Sequence, residues 1–255
     1  REVLINKSML LAVLYCFLVF SIGFLIPLIQ ILYWISYSLE GTDFNFLYTL
    51  LKSSSSLALL SSVIIIIFTL NIAYIVRNSK SFLTKASSKI LSVGYAIPGV
   101  VLAVAIIAPI TAIENYLPKL FNYDPRSIVT GTFILLVVGY LVRFSAISLK
   151  SFESGLNKIS KNYDLLTSSF GYSKIQALYK VHLPILLPTI YSATILIFVD
   201  VVKELPITLI LRPFNFNTLP VYLYELAEAE NLSAIGMPGL ILIIICLIPV
   251  IILSK

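Results

Sequence analysis

Six stretches of this chain are long and apolar enough to cross a membrane, and they constrain its fold more than any other feature. They cover approximately residues 9–36, 57–76, 90–110, 128–149, 185–211 and 235–253. The hydrocarbon core of a bilayer takes about 20 apolar residues per helix. Inside it a backbone N–H or C=O without a partner costs several kcal/mol, so each stretch must be a helix or part of a closed barrel. A barrel needs shorter segments that alternate apolar and polar residues. Residues 63–67 and 240–245 are uninterrupted runs of Val, Ile and Leu, with no alternation. The expected fold class is therefore an all-α membrane protein of about six transmembrane helices, with residues 1–255 as a single transmembrane domain. Composition closes off the soluble alternative: 12% of residues are charged and 59% are hydrophobic, against about 25% charged in a soluble domain.

The charges orient the bundle. With the N-terminus inside, Arg1, Lys7, Arg77, Lys80, Lys85, Lys89, Arg143, Lys150, Lys158, Lys161, Lys174, Lys180 and Lys255 fall on the inner side, which is 13 of the 18 basic residues. Lys52, Lys119, Arg126, Lys203 and Arg212 are the other five. Basic residues concentrate on the cytoplasmic side, so both termini are expected inside. Clusters of Lys and Arg between apolar runs are a membrane pattern, not a nucleic-acid footprint. Trp34 and Tyr33 then sit at the outer headgroup level. Cys16 and Cys246 both lie in apolar runs and are expected as free thiols packed like small hydrophobes. Pro27, Pro98 and Pro109 are expected to kink the first and third helices. The Ser-rich run 53–56 is expected as a loop before the second helix.

The longest inner connection, approximately residues 150–184, is where function concentrates. Leu165, Leu166, Ser169 and Phe170 have helical spacing, as do Ile175, Leu178 and Tyr179. Gly171 separates the two groups, where a residue without a side chain turns a helix most cheaply. Leu183-Pro184 is expected to end the second group, because proline disfavours helix at the residue before it. The product is a short helix–turn–helix on the cytoplasmic face with an apolar side and a basic side. On physics alone it is either an amphipathic element at the lipid interface or a docking surface for a cytoplasmic protein. His182, the sole histidine, is expected at the membrane edge.

The fifth stretch carries Asp200, Lys203 and Glu204 in otherwise apolar sequence. Residues three and four apart share a helix face. Charges at the membrane centre cost roughly 2.5–3.5 kcal/mol each on insertion scales, so they face a bundle interior or water. Pro206 is expected to bend or break the helix just beyond. Two readings stand: an ion pair of Lys203 with Asp200 or Glu204 that fixes packing, or a face of the translocation path or its gate. Carboxylates suit a hard cation, but a path must bind weakly, so no coordinated metal site is expected. Arg143, near the inner end of the fourth helix, is expected to snorkel or meet a lipid phosphate. Arg212, with Glu225, Glu228 and Glu230, is expected outside, as a solvated face or a rim for an external protein.

Gly171, then Val181-x-Leu183-Pro184, then Pro188, resembles the Glu-Ala-Ala loop of importer permeases of the ATP-binding-cassette superfamily. Leu165, Leu166 and Thr167 occupy the Glu-Ala-Ala positions and Asp164 is the nearest carboxylate. Residues 23–34 (GFLIPLIQILYW), 94–104 (GYAIPGVVLAV), 140–144 (YLVRF), 152–160 (FESGLNKIS) and 198–219 (FVDVVKELPITLILRPFNFNTL) are similar to segments of the ferric-iron branch. The resemblance implies the type I importer permease (MetI-like) fold. It also implies a coupling loop, with Asp164, Leu165, Ser169, Phe170, Gly171, Tyr172, Val181, Leu183 and Pro184, that inserts into a cytoplasmic ATPase dimer. It implies a path or gate at Asp200, Lys203, Glu204 and Pro206, an external binding protein, and a second permease half, fused or separate. Those permeases commonly carry two such halves in one polypeptide, and this chain looks like the C-terminal one, which would account for a start at Arg1. It implies a place in the inner membrane and no cofactor.

No Gly-x4-Gly-Lys-Ser/Thr phosphate loop occurs, so ATP hydrolysis is expected from a separate subunit. The expected cargo is ferric iron delivered from outside. Thiamine, a polyamine, sulfate or a phosphonate is the alternative within the class. A secondary transporter is the alternative class, but it would carry inverted repeats, and none is evident between the halves of this chain.

Overall fold

A computed structural model describes residues 7–79, 81–121 and 129–253. Arg1, Lys80, Arg126, Lys255 and the expected start of the fourth stretch at Ile128 lie outside them. The described residues are helical throughout apart from turns and short connections. They contain six helical stretches long and apolar enough to span a membrane: Met9–Ser38, Phe44–Asn78, Gly99–Tyr116, Phe133–Lys158, Lys174–Val202 and Ser233–Leu253.

The first span is α1 (Lys7–Phe20) and α2 (Ile26–Ser38), joined by a π-helical turn, Ser21–Leu25. That turn sits just before Pro27, whose missing N–H it absorbs without a break. The second span, α3 (Phe44–Asn78), starts a dozen residues earlier than its apolar run. Asp43 caps it, accepting from the N–H of Asn45 at 3.0 Å and of Phe46 at 3.1 Å. The Ser-rich run 53–56 is therefore helix and not a loop. Ser55 Oγ donates back to Leu51 O at 2.6 Å and Ser56 Oγ to Ser53 O at 3.2 Å. Serine hydroxyls that bond to their own helix remove the polar penalty. Buried Ser54 instead accepts from Leu219 N at 2.8 Å.

The expected third helix at 90–110 is two helices. Ile90 belongs to α4 (Phe82–Val93), and α5 (Gly99–Phe121) starts after a single 3-10 turn, Gly94–Ala96. Ile97 is extended (φ −75°, ψ 128°), as expected for a residue before proline, so Pro98 breaks the span instead of kinking it. α5 runs through Pro109. The fourth span is α6 (Phe133–Lys158) and extends past its apolar stretch at the inner end. α7 (Lys161–Ser169) and α8 (Lys174–Ala177) follow. A π turn, Leu178–His182, joins α8 to α9 (Leu183–Val202). After Lys203–Leu205 come α10 (Pro206–Leu211), α11 (Leu219–Glu228) and α12 (Gly236–Leu253).

α3, α6 and α9 form the packed centre, with Ile65, Leu136, Tyr140, Phe144, Phe152, Leu186 and Ile197 buried among them. α4, α5 and α10 pack on α6, and α12 joins α9 to α2 on the periphery. Lipid is as apolar as leucine, so close packing and hydrogen bonds hold such helices together, and small residues set how near they come. A Cβ on Gly94 would overlap the Val142 carbonyl oxygen, and one on Gly139 would lie 2.9 Å from Ile207 and Leu211.

Gly94 and Gly23 give a matched test. Gly94→Ala drives a methyl into backbone that cannot rotate away, and overpacking costs about 1–3 kcal/mol. The thermal midpoint in mild detergent should fall. Gly23→Ala meets nothing within 4 Å, and its midpoint should match the wild type.

Candidate functional site

The helix–turn–helix expected at the inner end forms, and its punctuation is visible. Ser160 Oγ caps α7 through Asn162 N at 3.3 Å. α7 ends in a Schellman turn: Gly171 N–H donates to Ser168 O and Tyr172 N–H to Thr167 O, both at 3.0 Å. Gly171 has φ +73°, the left-handed conformation such a turn requires. Ser173 and Gln176 form a capping box for α8. Leu183 is helical (φ −62°, ψ −45°), so Leu183-Pro184 does not end this element. α8, the π turn and α9 run on as one helix, Lys174–Val202. The wider π turn just before Pro184 takes up its missing N–H. The second arm of the inner element is thus the base of the fifth span.

Leu165, Leu166, Phe170, Ile175 and Tyr179 are exposed on this element, Phe170 to 75%. Tyr172 holds Lys180 Nζ 5.0 Å from its ring centroid. Ser169 is exposed and bonds back to Leu165 O at 3.0 Å. Val181 and Leu183 are half-buried and Pro184 exposed.

The opposite side is ionic. Asp164 Oδ2 lies 2.8 Å from Arg77 Nη2, and Asp164 Oδ1 lies 2.9 Å from His182 Nε2. Arg77 also donates to Ile159 O at 3.0 Å and to Leu156 O. His182 is fully buried, contrary to its expected place at the membrane edge. Asp164 and the Tyr74 ring, 5.4 Å centroid to centroid, draw it into the protein.

The second candidate cluster lies where the fifth span breaks. Lys203 Nζ pairs with Asp200 Oδ1 at 2.7 Å. Glu204 does not pair with Lys203. Its Oε2 lies 3.5 Å from Arg143 Nε, with 8% of the Glu204 side chain and 19% of the Arg143 side chain exposed. Arg143 therefore does not snorkel to the headgroups. Its guanidinium turns into the bundle towards Glu204 and the Ile97 carbonyl instead. The break is closed by hydrogen bonds. Ile207 N–H donates to Glu204 Oε1 at 3.3 Å and Thr208 Oγ1 to Glu204 O at 2.7 Å. Tyr140 Oη and Thr208 Oγ1 are 2.6 Å apart. Pro206 opens α10. Arg143 Nη1 also reaches Ile97 O at 3.4 Å, in the break of the third span. A Cβ on Gly99 would lie 2.6 Å from Arg143 Nη1 and 3.1 Å from Glu204 Oε1. Arg143 thus joins two broken helices.

At the other end of the bundle Arg212 Nη2 meets Glu225 Oε1 at 3.0 Å, and Asn217 Nδ2 donates to Glu225 Oε2 at 3.0 Å. These residues line a pocket of about 640 Å³ with Phe46, Ile107 and Thr130. Glu225 lies on α11, with Glu228 and Glu230 exposed beyond it. Arg143 and His182 stand where the sequence did not place them, whereas Arg77 lies at the inner end as expected and only its partners are new. The available signal for Arg143 was a charge inside an apolar run, which calls for a partner in the bundle.

A family profile described as "binding-protein-dependent transport system inner membrane component" matches residues 65–255, and the chain belongs to that family. Its members are multi-pass inner-membrane permease subunits without catalysis of their own. A Fe(3+)-transport system permease protein of Haemophilus influenzae is 23% identical over 93% of this chain and 45% of its own length. A Salmonella typhimurium permease named for 2-aminoethylphosphonate transport is 29% identical over 50% of this chain and 48% of its own. The chain spans about half the length of the curated relatives it matches. Among solved structures, a bacterial alginate ABC transporter chain superposes with TM-score 0.75 at 16% identity, covering 96% of this chain and 92% of that one. A methionine ABC transporter chain in an inward-facing conformation gives 0.56 at 15%, covering 84% and 98%. These likenesses show the fold, that of the type I importer permeases.

Arg143 and Glu204 make a testable pair. Removing one partner strands the other, which costs about 3–5 kcal/mol when the charges are buried, whereas replacing both is close to neutral. Arg143→Met and Glu204→Met should each lower the denaturation midpoint in detergent. The double variant should recover most of the loss.

Proposed function

We propose that this chain is one permease half of an ATP-driven importer, moving ferric iron handed over by an external binding protein. A cytoplasmic ATPase dimer would dock on the α7–α8 element and push on the spans. The observation that carries the reading is the asymmetry of that element. Its outward side leaves Leu165, Leu166, Phe170, Ile175 and Tyr179 exposed among the described residues, and its inward side is tied through Asp164 to Arg77 and His182. An element resting in lipid needs the first property but not the second. A lever needs both: an apolar row to fill a partner's groove and a stiff connection behind it.

Asp200, Lys203, Glu204 and Pro206 are our candidates for the path or its gate. Each carboxylate is neutralised by a cation, Asp200 by Lys203 and Glu204 by Arg143. That arrangement disfavours tight cation binding and suits transient passage. Iron rests on the resemblance along the chain and on the iron-transport relative. The relative named for 2-aminoethylphosphonate makes a phosphonate the second cargo to test. The second permease half is either fused or separate, and residues 1–255 form one half.

Uptake into vesicles holding the permease, the ATPase and the binding protein tests this. Ferric iron should accumulate with ATP and not without the ATPase. Accumulation of a phosphonate instead would change the cargo, and uptake driven by a proton gradient alone would overturn the class. Gly171→Val should leave the amount in the membrane unchanged. The left-handed conformation costs a residue with a side chain about 1–2 kcal/mol, so ATP-dependent uptake should fall about tenfold. Phe170→Glu should release the ATPase from the purified complex.

A further inference from the structure

Within the coupling role proposed above, we infer that Arg77 and His182 are the positioning residues that pass motion of α7 to the membrane spans. They do so by dividing one carboxylate between two spans. Asp164 lies in the first turn of α7. Its Oδ2 meets Arg77, in the last turn of the second span, at 2.8 Å. Its Oδ1 meets His182, at the base of the fifth span, at 2.9 Å. Arg77 reaches a third span through Leu156 O and Ile159 O, at the inner end of α6. Tyr74, one helical turn before Arg77, donates its hydroxyl to Lys174 O at 2.9 Å. It thereby ties the second span to the start of α8.

The burial says that this is machinery and not surface decoration. The His182 side chain is fully buried and Arg77 is 11% exposed, while Asp164 keeps 29%. Beyond Asp164, α7 offers only Thr167 to the protein interior. A load applied along the exposed side of α7 therefore reaches the second, fourth and fifth spans at its first turn. The Arg77–Asp164 bond is charge-assisted, short and directional, so it carries displacement that loose apolar contacts would absorb, and the buried His182 ring backs the other carboxylate oxygen at 2.9 Å. His182 ends a π turn, the one place in the fifth span where the backbone ladder is wide enough to give.

The test uses the assembled transporter in vesicles, comparing ATP hydrolysed per solute taken up, at equal amounts of complex. Asp164→Asn is the variant to judge by, because it leaves both carbonyl contacts of Arg77 in place. Its ratio should rise about tenfold, within the usual range of coupling between sites. Arg77→Gln should do the same, and Arg77→Lys, which keeps the charge but not the fork, should fall between. The Asp164→Asn/Arg77→Gln double variant should be no worse than either single, as expected for one shared link. An unchanged ratio with only a lower melting midpoint would make the cluster a structural cap and overturn the inference. Loss of the ATPase from Asp164→Asn complexes would overturn it too, since Asp164 would then be a docking residue. Failure of the underlying coupling role has a different signature: wild-type uptake that proceeds without the ATPase.

Discussion

A backbone that leaves the helix inside hydrocarbon must find every partner within the protein, and this fold is organised around meeting that demand twice. The third span is broken at Gly94–Pro98 and the fifth at Lys203–Leu205. One side chain answers both. Arg143, on the unbroken α6 between them, reaches Ile97 O in the first break and the Glu204 carboxylate in the second. Glu204 in turn receives the Ile207 N–H that the start of α10 leaves over. Neither charge would be tolerable alone at that depth. Paired, they turn two breaks into one junction.

The junction explains the small residues around it. Gly99 lets α5 begin against the Arg143 guanidinium, and Gly139 lets α10 lie against α6. A larger residue at either place would separate the helices and lengthen an ion pair already at 3.5 Å. Lys203 pairs with Asp200 beside the same junction, and 57% of the Lys203 side chain is exposed against 16% of the Asp200 side chain. The buried pair, Arg143 with Glu204, holds the break, and the Lys203 ammonium is the charge left open beside it.

Much of this was legible in the sequence and some was not, for physical reasons. Span number and approximate position follow from apolar length, because lipid enforces them. Gly171 followed from turn chemistry that depends on few neighbours. The misses share one cause, a tertiary partner distant in sequence. Arg143 looked like a snorkelling residue until Glu204 came within reach. His182 looked interfacial because nothing local showed that Asp164 and Tyr74 would surround it. Leu183-Pro184 looked like a stop because a π turn leaves no mark in composition. Ser53–Ser56 misled in the opposite way: hydroxyls such as those of Ser55 and Ser56, which bond to their own helix, read as polar but behave as apolar.

In the coupling role proposed for the inner element, a polar cluster serves mechanics without serving chemistry. Apolar side chains bind well but slide, since dispersion has no preferred direction. Ion pairs with fixed hydrogen-bond geometry resist sliding but cost too much to desolvate at a transient interface. In this chain the two are separated onto opposite sides of the α7–α8 element. The exposed row from Leu165 to Tyr179 is the side open to a partner, and the Asp164 cluster lies behind it. Exchanging the two sides would produce an element that held its partner permanently and transmitted little to the spans.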